Sequence, residues 1–128
     1  MSIFRREARA PGRVTVQEAA ARTGHGATTE RADAVLLDVR EPDEWQAGHA
    51  PGAVHLPLSD LSAGAGLPAA AHARPLLVIC RSGNRSRRAA ALLAARGADA
   101  ADVIGGMRDW AAAGLPVVDA RGGNGTVA

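Results

Sequence analysis

The sequence predicts an α/β fold, a mostly parallel central sheet with helices on both faces. Three observations support this. Short apolar runs, "AVLLDV" at 34–39, "PLLVIC" at 75–80 and "ADVIGG" at 101–106, lack the in–out alternation of a half-exposed strand, as suits strands covered on both sides. Segments with helical spacing separate the runs. Glycine and proline punctuate the junctions, and short strands alternating with helices are the mark of a parallel sheet.

Taken in order, the first dozen residues form a polar arm, expected to be flexible. "TVQEAAART" places Thr15 three residues before Glu18, a capping box that opens a short helix. "HGATTERAD" is a turn region before the strand at 34–39. "REPDEWQAG" follows as a turn and one or two helical turns stopped by Gly48, then a Pro-Gly turn and a strand around Val54 to Leu56. A helix starts at Ser59, and the stretch to Pro75 is rich in alanine, glycine and proline. "PLLVIC" is the clearest buried strand. Ala89, Leu92, Leu93 and Arg96 share one helix face, with the arginine stem lying along its end. "ADVIGG" is the next strand, and "MRDWAAAGLPVV" a helix ended by Gly114 and then a last strand. The expected organisation is an arm at 1–12, a single domain at 13–119 and a disordered tail at 120–128.

A chain of 128 residues, 47% hydrophobic, can bury a real core. No apolar run approaches the roughly 20 residues of a membrane span. The first residues carry charge without an apolar core segment, so no secretory signal is expected. A lone cysteine forms no internal disulfide and suits a reducing compartment, so the expected location is cytoplasmic. The isoelectric point near 9.9 overstates the basicity. Fifteen cations against 13 anions leave +2, all fifteen are arginine, and there is no lysine or tyrosine to titrate in mild alkali. The charge balance therefore argues for neither a nucleic-acid nor a membrane partner.

The chemistry concentrates at Cys80, which ends the clearest strand. In an open parallel sheet, ligands bind beyond the carboxyl ends of the strands. Arg81, Ser82, Gly83 and Asn84 let the chain curl tightly, turning backbone N–H groups inward at the start of a helix. Oriented donors, the helix dipole and nearby arginine all favour a thiolate there. Most free cysteines are merely small buried hydrophobes. An inert one, however, needs no anion-cradling loop.

"CRSGNRS" resembles the active-site loop of the rhodanese family, the thiosulfate sulfurtransferases, in its single-domain form. "LLDVREPDEWQAGHAPGAVHLPL" and "GGMRDWAAAGLPV" are similar to that family's upstream and C-terminal signatures, in the same order, over about Thr15 to Val118. The resemblance implies a rhodanese-like fold and a ping-pong reaction. Cys80 attacks the sulfane sulfur of thiosulfate or another persulfide donor, and an external thiol, a protein or cyanide takes the sulfur from the resulting persulfide. No cofactor is expected.

Within the loop, Arg85 is expected to bind the donor's anionic oxygens and shape the loop. Arg81 either does the same or points into solvent. Ser86 donates to the Cys80 sulfur, caps the helix, or does both. Arg87 and Arg88 suit a solvated helix face. Asp38 and Arg40 sit at a strand end beside Cys80; the resemblance has them frame the pocket, with Arg40 pairing to Glu44, and a plain ion pair holding the loop is the simpler alternative. His49 is expected to be structural, because a nested thiolate needs no base. His25, His55 and His72 lack ligand spacing to Cys80, so no metal site is expected. Trp45 and Trp110 suit core or pocket-wall positions.

Two other functions compete. Cysteine-based phosphatases and arsenate reductases place arginine six residues after the cysteine, where this chain has Ser86. A non-catalytic interaction module would not be expected to retain the nucleophile. The sequence selects neither the physiological donor and acceptor nor an oligomeric state.

Overall fold

The computed structural model describes residues 12–25 and 32–128. Five strands, β1 (Gly12–Val14), β2 (Val35–Asp38), β3 (Val54–His55), β4 (Leu76–Ile79) and β5 (Ala100–Val103), form one sheet in the order β1-β5-β4-β2-β3. Every pairing is parallel. Among the described residues the helices are α1 (Val16–Arg22), α2 (Pro42–Ala47), α3 (Leu58–Ser62), α4 (Asn84–Ala95) and α5 (Gly106–Ala112), with a 3₁₀ turn at Ala69–Ala71.

Side-chain alternation divides the core in two. Leu76, Val78 and Cys80 join Val35, Leu37 and Val39 on the face covered by Leu61 of α3 and by Ala89, Ala90 and Leu93 of α4. Leu77 and Ile79 join Leu36 and Val103 on the opposite face, under Val16, Ala19 and Ala20 of α1 and Met107 and Trp110 of α5. The α/β expectation with helices on both faces therefore holds.

The local signals act as their chemistry requires. Thr15 and Glu18 form the reciprocal capping box at α1. Arg96 reaches from the end of α4 to donate to the carbonyls of Leu61 and Ala65, tying α4 to α3. The chain leaves β2 toward β3 on one side and leaves β4 toward β5 on the other. The carboxyl ends of β2 and β4 thus lie at a switch point, where a parallel sheet opens its crevice.

Two expectations change. Gly12–Val14, placed at the boundary of a flexible arm, is an edge strand paired to β5; the rest of the expected arm, residues 1–11, lies outside the described residues, as does 26–31 of the first turn region. The 120–128 tail, expected to be disordered, folds back. Val118 bridges both His49 and Asn124, Gly125 N–H donates to Val117, and Thr126 N–H donates to Ala47. Its backbone groups find partners that its glycine-rich composition does not advertise.

Candidate active site

Cys80 follows the last residue of β4 and is 1% exposed. The chain bends through Arg81 and Ser82, and Gly83 then takes φ 105° as the N-terminal cap of α4. That left-handed angle favours glycine and aims the Gly83 N–H at the Cys80 sulfur, 3.1 Å away. Of the donors expected to curl inward, Gly83 supplies the backbone hydrogen bond recorded to the sulfur in its present position. Ser86, on the first turn of α4 and wholly buried, lies with its Oγ 3.4 Å from the same sulfur.

The loop is fixed from the other face by α5. Met107 N–H donates to the Cys80 carbonyl at 2.7 Å and Arg108 N–H to the Arg81 carbonyl at 3.0 Å. This contact explains the glycine at the first position of α5, whereas Gly105 before it, at φ +79°, is constrained by the Asp109 side chain. A side chain at Gly106 would run into the Cys80 carbonyl and sit 2.7 Å from the Arg81 carbonyl carbon, and its φ is +59°.

Arg85, expected to bind the donor's oxygens and shape the loop, is engaged with α2. Its two terminal nitrogens each donate to one oxygen of Glu44, on α2, at 2.7 Å. This pairing holds the Glu44 carboxyl below its ordinary range; the Arg85 hydrogen bonds act most, against partial burial, and Glu41 N–H adds to them. The Arg85 guanidinium is raised for the same reason, and it lies within electrostatic reach of Cys80.

Arg40 therefore does not pair with Glu44. It is wholly buried and donates through Nε and Nη2 to Asp38, with a further bond from Nη2 to the Gly48 carbonyl. Asp38 also accepts from the Arg40 backbone N–H, so the two-residue separation closes a tight turn at the end of β2. Arg40 Nη1 is buried without a partner.

The remaining loop residues form the rim. Arg81, Ser82 and Asn84 are exposed, and Arg81 Nε donates to the backbone oxygen of Ala128 at 2.7 Å. Arg87 and Arg88 are exposed on α4. His49 bonds the Trp45 carbonyl through Nδ1 and stacks on the Trp45 ring, which also stacks on His55. Each of the four histidines bonds a backbone carbonyl, and none bonds Cys80. Among the described residues, no group of three His, Cys, Asp or Glu side chains is placed to hold a metal ion, and no helix is long and apolar enough to cross a membrane.

Two residues beside the site escaped the sequence reasoning. Asp102 of β5 is 3% exposed, and its Oδ2 lies 3.4 Å from Ser86 Oγ. Arg13 of β1 donates to both Asp102 oxygens at 3.0 Å. The only available signal was an acid inside an otherwise apolar strand.

Residues 15–113 match the family model of the rhodanese-like domain. YrkF of Bacillus subtilis (strain 168), provisionally named a sulfur carrier protein, is 38% identical over 76 residues, which make up 59% of this chain and 40% of YrkF. The chain thus spans about two fifths of that relative's length. Among solved structures, a rhodanese-related protein of Thermoplasma volcanium superposes with a TM-score of 0.69 at 27% identity, covering 84% of this chain and 97% of that one. A Rhodopseudomonas palustris protein of unknown function, considered a candidate tyrosine phosphatase, has a TM-score of 0.70 at 24% identity, covers 87% of each chain and attests the fold alone.

Proposed function

The chain belongs to the rhodanese-like domain family, and on that premise we propose that it is a sulfurtransferase carrying sulfane sulfur on Cys80, with thiosulfate as a competent donor. One observation carries the reading. The single cysteine ends the central strand with a backbone N–H at 3.1 Å and a buried hydroxyl at 3.4 Å, at the start of a twelve-residue helix. The Gly83 N–H, a hydroxyl able to turn its proton toward the sulfur, and the helix N-terminus favour negative charge on sulfur, both as thiolate and as persulfide.

In the first half-reaction the Cys80 thiolate attacks the sulfane sulfur. The sulfur–sulfur bond of thiosulfate breaks, sulfite leaves with its electron pair, and the transferred sulfur ends as the terminal anion of a persulfide. In the second, an external thiol, a protein thiolate or cyanide attacks that terminal sulfur, and the electron pair returns to Cys80. With no second cysteine in the sequence, this chain supplies no resolving thiol. Asp38 and Arg40 serve as the buried brace of the adjoining strand end. Arg81, Ser82 and Asn84 form the rim that donor and acceptor meet.

Phosphate chemistry fits less well. An arginine that wraps a tetrahedral oxyanion must offer its fork to the loop, and both terminal nitrogens of Arg85 are engaged by Glu44. The test is intact-mass measurement after thiosulfate treatment. The expected result is a gain of one sulfur, removed by cyanide and absent in Cys80→Ser. Unmodified wild-type protein would overturn the thiosulfate assignment.

A further inference from the structure

Ser86 sits between the Cys80 thiol, which donates to its Oγ, and the Asp102 carboxylate, which accepts from it. Its Oγ lies 3.4 Å from Cys80 Sγ and 3.4 Å from Asp102 Oδ2. A strong O–H···O⁻ bond spans about 2.5–2.7 Å, so the hydroxyl is not firmly held by the carboxylate. A hydroxyl has one proton to donate and rotates to place it. Asp102 is buried on the strand beside β4, and its carboxylate is balanced by the fork of Arg13, its register partner on β1.

We propose that Asp102 is a positioning residue for sulfur transfer, acting through Ser86, and that Arg13 decides which neighbour receives the Ser86 proton. While Cys80 is a thiol, its S–H donates to Ser86 Oγ and the Ser86 hydroxyl donates to Asp102. Once the thiol proton has passed to solvent, the hydroxyl turns and donates to the sulfur anion, and no covalent bond changes in that turn. Asp102 gives up only a long hydrogen bond because it keeps both bonds from Arg13. Without Arg13, a buried uncompensated carboxylate would retain the Ser86 proton and repel the sulfur anion. Of the other charges on the loop and the elements packed around it, Arg85 pairs with Glu44 and Asp38 with Arg40, while Arg81, Arg87, Arg88, Arg108 and Asp109 are solvent-exposed.

This inference rests on Cys80 as the sulfur nucleophile, but its test needs no sulfane donor. Alkylation of Cys80 by iodoacetamide is followed by intact mass from about pH 5 to about pH 10. Arg13→Gln is expected to slow the reaction near pH 7 about tenfold while leaving the alkaline plateau within about twofold, and Arg13→Lys to restore most of the loss. Asp102→Asn is expected to speed it severalfold near pH 7. Both effects should shrink by at least half, on a logarithmic scale, in a Ser86→Ala background. Profiles that overlay the wild type, or effects of full size without Ser86, would overturn the proposal. If Arg13→Gln does not fold, Asp102→Asn and Asp102→Asn/Ser86→Ala decide the matter alone. A failed mass test with thiosulfate would leave this result standing, and the reverse also holds.

Discussion

Arg85 and Glu44 meet through two parallel hydrogen bonds of 2.7 Å across 41 residues of sequence, fastening the sulfur loop to α2. The cation nearest in sequence to the loop's end is thus already partnered, and its guanidinium acts on Cys80 through charge more than through contact.

Glu44→Gln should release the Arg85 fork toward an anionic donor. The expected outcome is a KM for thiosulfate lowered severalfold, with a stability loss of about 1 kcal/mol at this partly exposed pair. Arg85→Gln leaves Glu44 facing the loop unpaired and should lower kcat/KM at least about tenfold. Steady-state kinetics on both variants checks this, and a raised KM in Glu44→Gln would assign the pair to loop bracing alone.

The same pair sets a dependence on acidity. Glu44 is held below its unfolded value, chiefly by the Arg85 hydrogen bonds. Its stabilising contribution is therefore complete above the unfolded glutamate range, about pH 4.3, and is lost as pH falls through the lower folded value. Denaturant titrations from about pH 7 down to about pH 3 should show wild type losing more stability in that window than Glu44→Gln.

Two glycines with left-handed angles should respond very differently to alanine. Gly97, at φ +91°, has open space where a methyl would go, so Gly97→Ala meets only backbone strain, about 1 kcal/mol. Gly106→Ala drives its methyl into the carbonyls of Cys80 and Arg81 and should cost about 3 kcal/mol or more, with sulfur transfer lost in whatever folds. Thermal midpoints and single-turnover persulfide formation separate the two.

Arg40→Ala removes the buried cation from Asp38 and should destabilise the protein by about 3–5 kcal/mol, the range for stranding one buried charge. Arg81→Ala, at an exposed rim position, should change stability by less than about 0.5 kcal/mol and register mainly in KM. Urea unfolding paired with kinetics distinguishes the brace from the rim. Equal destabilisation by both would refute the distinction.

The apolar runs at 34–39 and 75–80 announced β2 and β4 because strands buried on both faces have little room for polar residues. Thr15 with Glu18, and Cys80 with its glycine and arginine, were legible because capping and loop chemistry are local. The partners of Arg40 and Arg85 were not. Asp38 or Glu44 would satisfy either arginine, and only the course of the chain after β2 decides between them. Arg13 and Asp102 lie 89 residues apart and meet because β1 joins β5 at the sheet edge. Gly12–Val14 has no apolar run to mark it as a strand, so a reading of periodicity passes over it.

Among the described residues that edge strand is three residues long, is bonded on one side only, and exposes Gly12 and Arg13. Short edges open locally at a fraction of the global unfolding free energy. Such an opening would lift Arg13 off Asp102 and leave β4, in the middle of the sheet, with its cysteine in place. On the proposal that Arg13 governs the Ser86 proton, the thiol would then experience two electrostatic settings within one folded molecule, weighted by how often β1 breathes. Hydrogen exchange at Val14 then becomes a gauge of the nucleophile's surroundings, read from the far margin of the sheet.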